Sequence, residues 1–408
     1  MRDRHIRRFG DLVNSVKSLK SLNHQITTSP NVPMLDVLVV GAGPAGSVAA
    51  ALLARAGARV RLVDRAVFPR DKLCGDTINP GTVSMLKRLG LARALESCGL
   101  PIDGMRVSGG NGVVVEGRYP DGMTGRALLR REFDWMLLQD AVAAGAQFEP
   151  GVSVKSAIVE GDRVAGVRIG DAELRARVTI AADGRRSTLA FGLGLASHPM
   201  RPRRWALGAY MDVAGDTASK RLGEMHVRDG HYIGVAPVPG GLTNVCLVTP
   251  WKAGDARLDD PGKAIIGALS RDALLRDRFA GALMATTPVV LGPLAVDSRD
   301  AAIDGLVLAG DAAGFIDPMT GDGLRFAIRG AELAAAAVGD ALAHGWRGVH
   351  ERHARARRRE FGGKWRFNRA VRSLAGSPAA VAVAAAGARM APAVLRRAMI
   401  YAGDCRQA

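Results

Sequence analysis

The stretch that most narrows what this 408-residue chain can fold into is MLDVLVVGAGPAGSVAAALLARAGARVRLVDR, Met34 to Arg65. Val37 to Val40 form an unbroken aliphatic run, the pattern of a strand buried on both faces of a parallel sheet. Gly41, Gly43 and Gly46 follow, with Pro44 and Ala45 between them, in the spacing G-x-G-x-x-G. The first glycine permits a tight turn, the second lets backbone approach a pyrophosphate, and the third allows close helix–strand packing. Ser47 to Ala56 read as an Ala/Leu-rich helix whose N-terminal amides and dipole favour an anion. Gly57 stops that helix, Val60 to Val63 make a second strand, and Asp64, with Arg65 beside it, closes it. A carboxylate about twenty residues after the glycines accepts the hydroxyls of an adenosine ribose. Strand, turn, helix, strand and acid fall in register, so the stretch predicts a dinucleotide site. The acid favours FAD or NAD over NADP.

Composition sets the outer limits. The length allows two joined domains, and 48% hydrophobic residues describe a globular protein with a large core. A net charge of +17 calls for an anionic partner or reflects general arginine richness. Aromatic and basic residues do not interleave as they do where bases stack, which argues against nucleic acid. Cys74, Cys98, Cys246 and Cys405 lie far apart with no C-x-x-C pair and no histidine at metal spacing, so no metal is expected and a reducing cytoplasm fits. No apolar run is long enough to span a bilayer. Residues 1–33 are basic and polar, lack the apolar segment of a signal peptide, and read as a mobile arm.

Three further stretches carry chemistry. LLRREFDWMLLQDAVAAGAQF, Leu128 to Phe148, opens on arginines and continues as an amphipathic helix with Phe133, Leu137 and Val142 on its apolar stripe. VTIAADGRRSTLA, Val178 to Ala190, is a strand ending in Asp183-Gly184. DGLVLAGDAAGFIDPMTGDGLRFAIRGAELAA, Asp304 to Ala335, is a strand, then Gly310-Asp311, a Pro/Gly-rich loop and a helix opening near Gly323. These elements, in this order after the glycine turn, resemble the hydroxybenzoate-hydroxylase-type FAD-dependent oxidoreductases from about Met34 to Ala343. The resemblance implies that Arg130 lies along the FAD chain and that Asp183, with Gly184, serves FAD and an incoming nicotinamide. It implies that Asp311 bonds the ribityl chain, and that Gly321, Gly323 and Leu324 begin the helix facing the flavin N1–C2=O edge. A helix N-terminus suits the negative charge that a reduced flavin carries there.

FPRDKLCGDTINP, Phe68 to Pro80, is too irregular for helix or strand, and it places a thiol on a loop just after the ribose acid. Within the superfamily, its F-P-R-D-K-x-C-G-D pattern is similar to the geranylgeranyl reductase branch, which reduces isolated double bonds of prenyl chains. The resemblance implies that the loop lies over the flavin, that Gly75 lets its backbone approach the ring, and that Cys74 sits near flavin and substrate as a proton donor or a redox-sensitive gate. Asp76 is expected as a proton relay or as a cap on its own loop. Archaeal members carry Y-x-W-x-F-P on a substrate strand. Here the segment reads Tyr232-Ile233-Gly234-Val235-Ala236-Pro237, which keeps the tyrosine and the proline. The missing aromatics open volume and point to a bulkier or ring-bearing substrate.

The expected fold is α/β: a Rossmann-type FAD-binding domain with an inserted antiparallel β-rich substrate domain and C-terminal helices. Residues 34–196 and 296–343 form the first, 197–295 the second, and 344–408 a basic helical region that lids the FAD domain or meets anionic lipid. The expected activity is FAD-dependent reduction of carbon–carbon double bonds in an isoprenoid or lipid-like substrate, with Cys74, Asp76 and Tyr232 at the reacting end. The alternative is an FAD-dependent monooxygenase acting on a phenolic or polyketide-type aromatic, because fold alone does not separate the two. FAD is non-covalent. NAD(P)H or another donor binds transiently, since no second dinucleotide motif exists. Expected partners are a hydrophobic small molecule, no nucleic acid, and the inner membrane face through peripheral contact; the chain is a monomer or homodimer.

Overall fold

The structure is a computed structural model. It describes residues 34–405, apart from 111, 201–202, 214–220, 251–254, 256, 376–379, 381–382, 384–385 and 388–389. The expected arm at 1–33 and part of the apolar run after Ser377 therefore lie outside the described residues.

The first strand, Leu35–Val40, sits at the centre of an eight-stranded sheet. It pairs in parallel with Val60–Asp64 on one side and Ala172–Ala181 on the other. Gln147–Pro150 and Leu306–Leu308 extend the parallel order outward. Parallel strands need crossovers, and helices supply them on the sheet's faces. The helix after the glycine turn runs Pro44–Arg55, three residues earlier than its aliphatic pattern implies, because Pro44 suits a first helical turn. The helices Arg130–Ala143 and Gly323–His344 pack against it, and Phe133, Leu137, Leu138, Val48, Ile328 and Val338 are buried together. Val142, expected on the buried stripe, is 49% exposed. The stripe instead closes on Leu138 and Ala141, one turn back from the helix end.

A second eight-stranded sheet stands beside the first. Its centre is antiparallel: Arg204–Asp212, Leu242–Pro250, His231–Pro237 and Leu222–Arg228 pair in that spatial order. The helix Pro261–Arg271 covers one face, burying Ile265 and Leu269 against Leu207, Ile233 and Val245. The sequence places this lobe at 197–295, yet two of its strands come from earlier in the chain. Gly104–Ser108 pairs in parallel with Leu222–Arg228, and Val114–Arg118 forms the outer edge. That pairing spans over a hundred residues, so no local pattern signals it.

The long helix Val349–Ala375 lies on Gly323–His344, and Pro392–Ala402 lies on the strand Val114–Arg118. Buried ion pairs fix this end of the chain. Arg325 donates to Asp404 at 2.5 Å and to Glu360 at 2.9 Å. Lys364 Nζ donates to Asp322 Oδ1 at 3.1 Å and to the Tyr401 carbonyl at 2.6 Å. Among the described residues no helix is long and apolar enough to cross a membrane.

Candidate active site

The three glycines do different jobs. A Cβ on Gly41, whose φ is +99°, would lie 2.4 Å from the Ala182 carbonyl oxygen, and one on Gly46 would lie 1.7 Å from that of Gly41. Both glycines are required by packing. A Cβ on Gly43 would meet only the Arg70 guanidinium, at 3.5 Å, and would otherwise fill the space in front of the helix Pro44–Arg55. Packing does not demand a glycine there; an approaching ligand does. Asp64 ends its strand with Oδ2 accepting from the Ala42 amide at 2.7 Å and Oδ1 from the Ala66 amide at 2.8 Å. It thereby ties the end of its strand to the glycine turn, while Arg65 next to it is exposed.

Between the two sheets lies a cavity of about 200 Å³. Gly43, Pro44 and Ala45 line it from the glycine turn, and Gly184 from the end of the central strand Ala172–Ala181. Gly310 and Asp311 line it from the loop after Leu306–Leu308, and Gly321, Gly323 and Leu324 from the start of the following helix. Gly321 has φ +69°, and a Cβ on it or on Gly184 would touch nothing within 4 Å, so both leave open space rather than satisfy packing. Asp183 stands just behind this wall. Its Oδ2 accepts from the Thr188 amide at 2.8 Å, its Oδ1 is buried with no hydrogen-bond partner, and burial raises its carboxyl above the usual carboxylate range.

Cys74 and Gly75 bring the Phe68–Pro80 loop to the same cavity, and Lys72 and Arg130 stand beside them. Burial and the neighbouring Arg130 hold the Lys72 ammonium below its ordinary range. Arg130 is clamped by Asp134, with Nε to Oδ1 at 2.8 Å and Nη2 to Oδ2 at 3.0 Å. Arg70 reaches the same carboxylate at 3.1 Å. Burial works against the Arg130 charge, but Asp134 and Cys74 more than offset it and hold its pKa above normal.

Asp76 does not line the cavity; it is fully buried behind the loop. Its carboxylate accepts from the Arg130 amide at 3.1 Å, the Tyr210 hydroxyl at 2.7 Å, and the Asn244 side-chain amide. Asn244 also donates to the Cys74 carbonyl at 2.7 Å, so one side chain pins both ends of Cys-Gly-Asp. Burial pushes the Asp76 carboxyl up to about 6, against those three hydrogen bonds. Asp76 also adopts φ +53°, an uncommon conformation for a side-chain-bearing residue, which this network holds in place.

The opposite wall comes from the second sheet. Tyr232, Gly234 and Ala236 face the cavity, and a Cβ on Gly234 would meet only the Cys246 carbonyl oxygen, at 3.8 Å. The volume expected from the missing aromatics is present. Cys246 lines the same wall, and burial, with Cys74 nearby, pushes its thiol up to about 12. The Tyr232 hydroxyl donates to Asp317 Oδ1, and Asp317 Oδ2 accepts from Arg204 at 3.2 Å. Sequence reasoning treats Asp317 as a turn residue and does not single out Asn244, Tyr210 or Asp134. Their roles depend on partners far away in the chain.

Three motifs separated in sequence thus share one cradle: open glycine positions along it, a helix N-terminus at its floor, and an orphaned carboxylate oxygen behind its wall. These features fit FAD. The fold and site define an FAD-dependent oxidoreductase. The chain belongs to the family described as FAD binding domain, whose profile matches residues 34–361. It is 34% identical over 317 residues to the menaquinone reductase of Mycobacterium tuberculosis, covering 74% of this chain and 75% of that protein. It is 32% identical over 317 residues to digeranylgeranylglycerophospholipid reductase 1 of Methanopyrus kandleri, covering 72% and 77%. Among solved structures, the myxobacterial chondrochloren halogenase CndH superposes with a TM-score of 0.74 at 26% identity, covering 82% of each chain. A geranylgeranyl bacteriochlorophyll reductase-like protein from Thermoplasma acidophilum gives 0.72 at 24% identity, covering 85% of this chain and 89% of that one. At that identity the second likeness is one of fold.

Proposed function

We propose that this enzyme reduces carbon–carbon double bonds in an isoprenoid, lipid-like substrate that carries a ring, with NAD(P)H as a transient electron donor. The observation that carries the reading is the placement of Cys74 on the wall of a largely apolar cavity, facing the room left by Gly234 and Ala236 and flanked by all three nucleotide motifs. The names of the relatives support it: two reductases, one of a quinone and one of an isoprenoid lipid. In this reading residues 34–196 and 296–343 form the nucleotide lobe. Residues 197–295, joined by the 104–118 ribbon, form the substrate lobe.

When bound, FAD supplies the hydride that adds to one alkene carbon. Cys74 supplies the proton to the other. Asn244 and Asp76 hold the Cys74 backbone in register with the cavity, and Arg130 and Lys72 surround it with positive charge. Tyr232 acts from one step back, orienting Asp317 and the loop that leads into the Gly323 helix. The apolar walls exclude water, which an isolated alkene requires of its site because it is a poor hydride acceptor. The surface of Val349–Ala375 and Pro392–Ala402 exposes Arg366, Arg369, Arg396 and Arg397 near Met390 and Val394. Such a face suits peripheral contact with anionic lipid, where an isoprenoid substrate resides.

The deciding experiment is anaerobic turnover of an isoprenoid quinol, whose ring is already reduced, and of a prenyl lipid with NAD(P)H or dithionite, against an enzyme-free control, read by mass spectrometry. A product two mass units heavier, formed without oxygen, is expected. A product one oxygen atom heavier that forms only in air would replace this reading with the monooxygenase.

A further inference from the structure

A second cavity, of about 350 Å³, adjoins the first. Its walls are the strands Gly104–Ser108 and Val114–Arg118 and the helices Val349–Ala375 and Pro392–Ala402, through Val107, Val115, Phe367, Val371, Ala398 and Met399. No charged side chain lines it, and its few polar groups lie at the margins. Thr77, Met105, Met225, Met319 and Gly321 line both cavities, so the two meet across a shared partition. Three of those five are methionines, unbranched side chains that repack around different shapes more readily than any β-branched residue. Its lining is mostly apolar, and covering such a surface with an apolar ligand is favourable.

We propose that this second cavity is a binding site for the distal isoprenoid tail of the substrate, with Met105, Met225 and Met319 as an adjustable throat between the tail and the reacting double bond. The inference rests on the reductase reading for what occupies the first cavity. The ring and the reacting bond lie against Cys74 and Gly234, and the chain threads between the methionines to end beneath the two C-terminal helices. The strands that make its floor are the ribbon 104–118, the part of the substrate sheet contributed from outside the lobe. Val107, Val115, Phe367, Val371 and Ala398 line this cavity and not the first, which lets chain-length selectivity vary independently of the chemistry.

The test is binding to the full-length holoenzyme, measured by titration calorimetry with geranylgeraniol and with geraniol as paired probes. Wild type is expected to bind the longer alcohol at least about tenfold more tightly, since each added buried methylene is worth about 0.8 kcal/mol. Ala398→Phe and Val115→Phe fill the cavity from a helix and from a strand, and each is expected to bring that ratio down to about one. Retained flavin absorbance reports that the variant has folded. Equal affinity of wild type for the two alcohols overturns the tail site, as does a ratio that survives in a folded filled variant. Hydrogenation of a short alkene by a protein without length preference would leave the reductase standing and remove the tail site. A length preference in a protein that never hydrogenates an alkene would do the reverse.

Discussion

Tyr232 donates a 2.6 Å hydrogen bond from its phenol to Oδ1 of Asp317, 85 residues further along the chain. Both residues are buried, and the Met319 amide donates to the same oxygen at 3.0 Å. The bond joins the substrate sheet to the loop that presents Gly321 and Gly323. Burial, followed by the charge of Asp317, raises the Tyr232 hydroxyl well above its ordinary pKa. A phenol so held is a strut rather than a proton source. Tyr232→Phe should therefore keep turnover within about tenfold of wild type while lowering stability by roughly 1–3 kcal/mol, the cost of leaving a buried carboxylate short of a partner. Denaturant midpoints and steady-state rates check both halves. A collapse of kcat with unchanged stability would return Tyr232 to the chemistry.

Cys74→Ser should retain FAD and lose turnover by about 100-fold or more, because a positioned general acid contributes roughly that much. The visible spectrum and the rate of reoxidation by substrate are the two readouts. Unchanged turnover would make the thiol a packing residue.

Gly43→Val and Gly46→Ala separate binding from folding. The Gly43 side-chain direction opens into the cradle, so the valine variant should fold yet purify colourless. A methyl on Gly46 would lie 1.7 Å from the Gly41 carbonyl oxygen, so that variant should lose stability with or without cofactor. Thermal melts with and without added FAD distinguish the outcomes. Asp311→Ala, by removing a carboxylate that lines the cradle beside Gly310, should also weaken FAD retention without unfolding the apoprotein.

Asp76 sets a pH dependence of known sign. Burial lifts its pKa to about 6 from the ordinary 3.8, so the folded protein holds this proton more tightly than the unfolded chain does. The stabilisation from that proton is full below about pH 4 and lost as pH rises through about 6. Two units correspond to roughly 3 kcal/mol. The stability difference between wild type and Asp76→Asn should shift by about that much between pH 4 and pH 7, moving in favour of the variant as pH rises. Urea titrations across that range measure it, and parallel curves for the two proteins would refute the assignment.

Sequence pattern reached the parts of the site whose logic is local. Gly41, Gly43 and Gly46 announce a turn because their spacing follows from one strand and one helix, and Asp64 follows at a fixed distance. Asp311, Gly321 and Gly323 were singled out through the family resemblance, since no spacing rule of their own marks them. The rest depends on contacts that no window of sequence contains. Asn244 looks like any polar residue on a strand until the fold places Cys74 and Asp76 against it. Asp134 sits one residue after Phe133 in an ordinary helix, yet it is shared by Arg70 and Arg130. Val142 lies on the predicted apolar stripe but beyond the reach of the neighbouring helices. The strands 104–118 read as part of the nucleotide lobe because nothing nearby reveals a partner as distant as Leu222.

The salt links from Arg325 to Asp404 and from Lys364 to Asp322 have a consequence for biogenesis. The helix that forms the floor of the cradle is braced by side chains synthesised some forty and eighty positions after it begins. A ribosome that has already made every glycine motif has not yet made its braces. Cofactor capture should therefore come late, after the segment containing Tyr401 to Asp404 has left the exit tunnel, and a nascent chain arrested earlier would stay colourless.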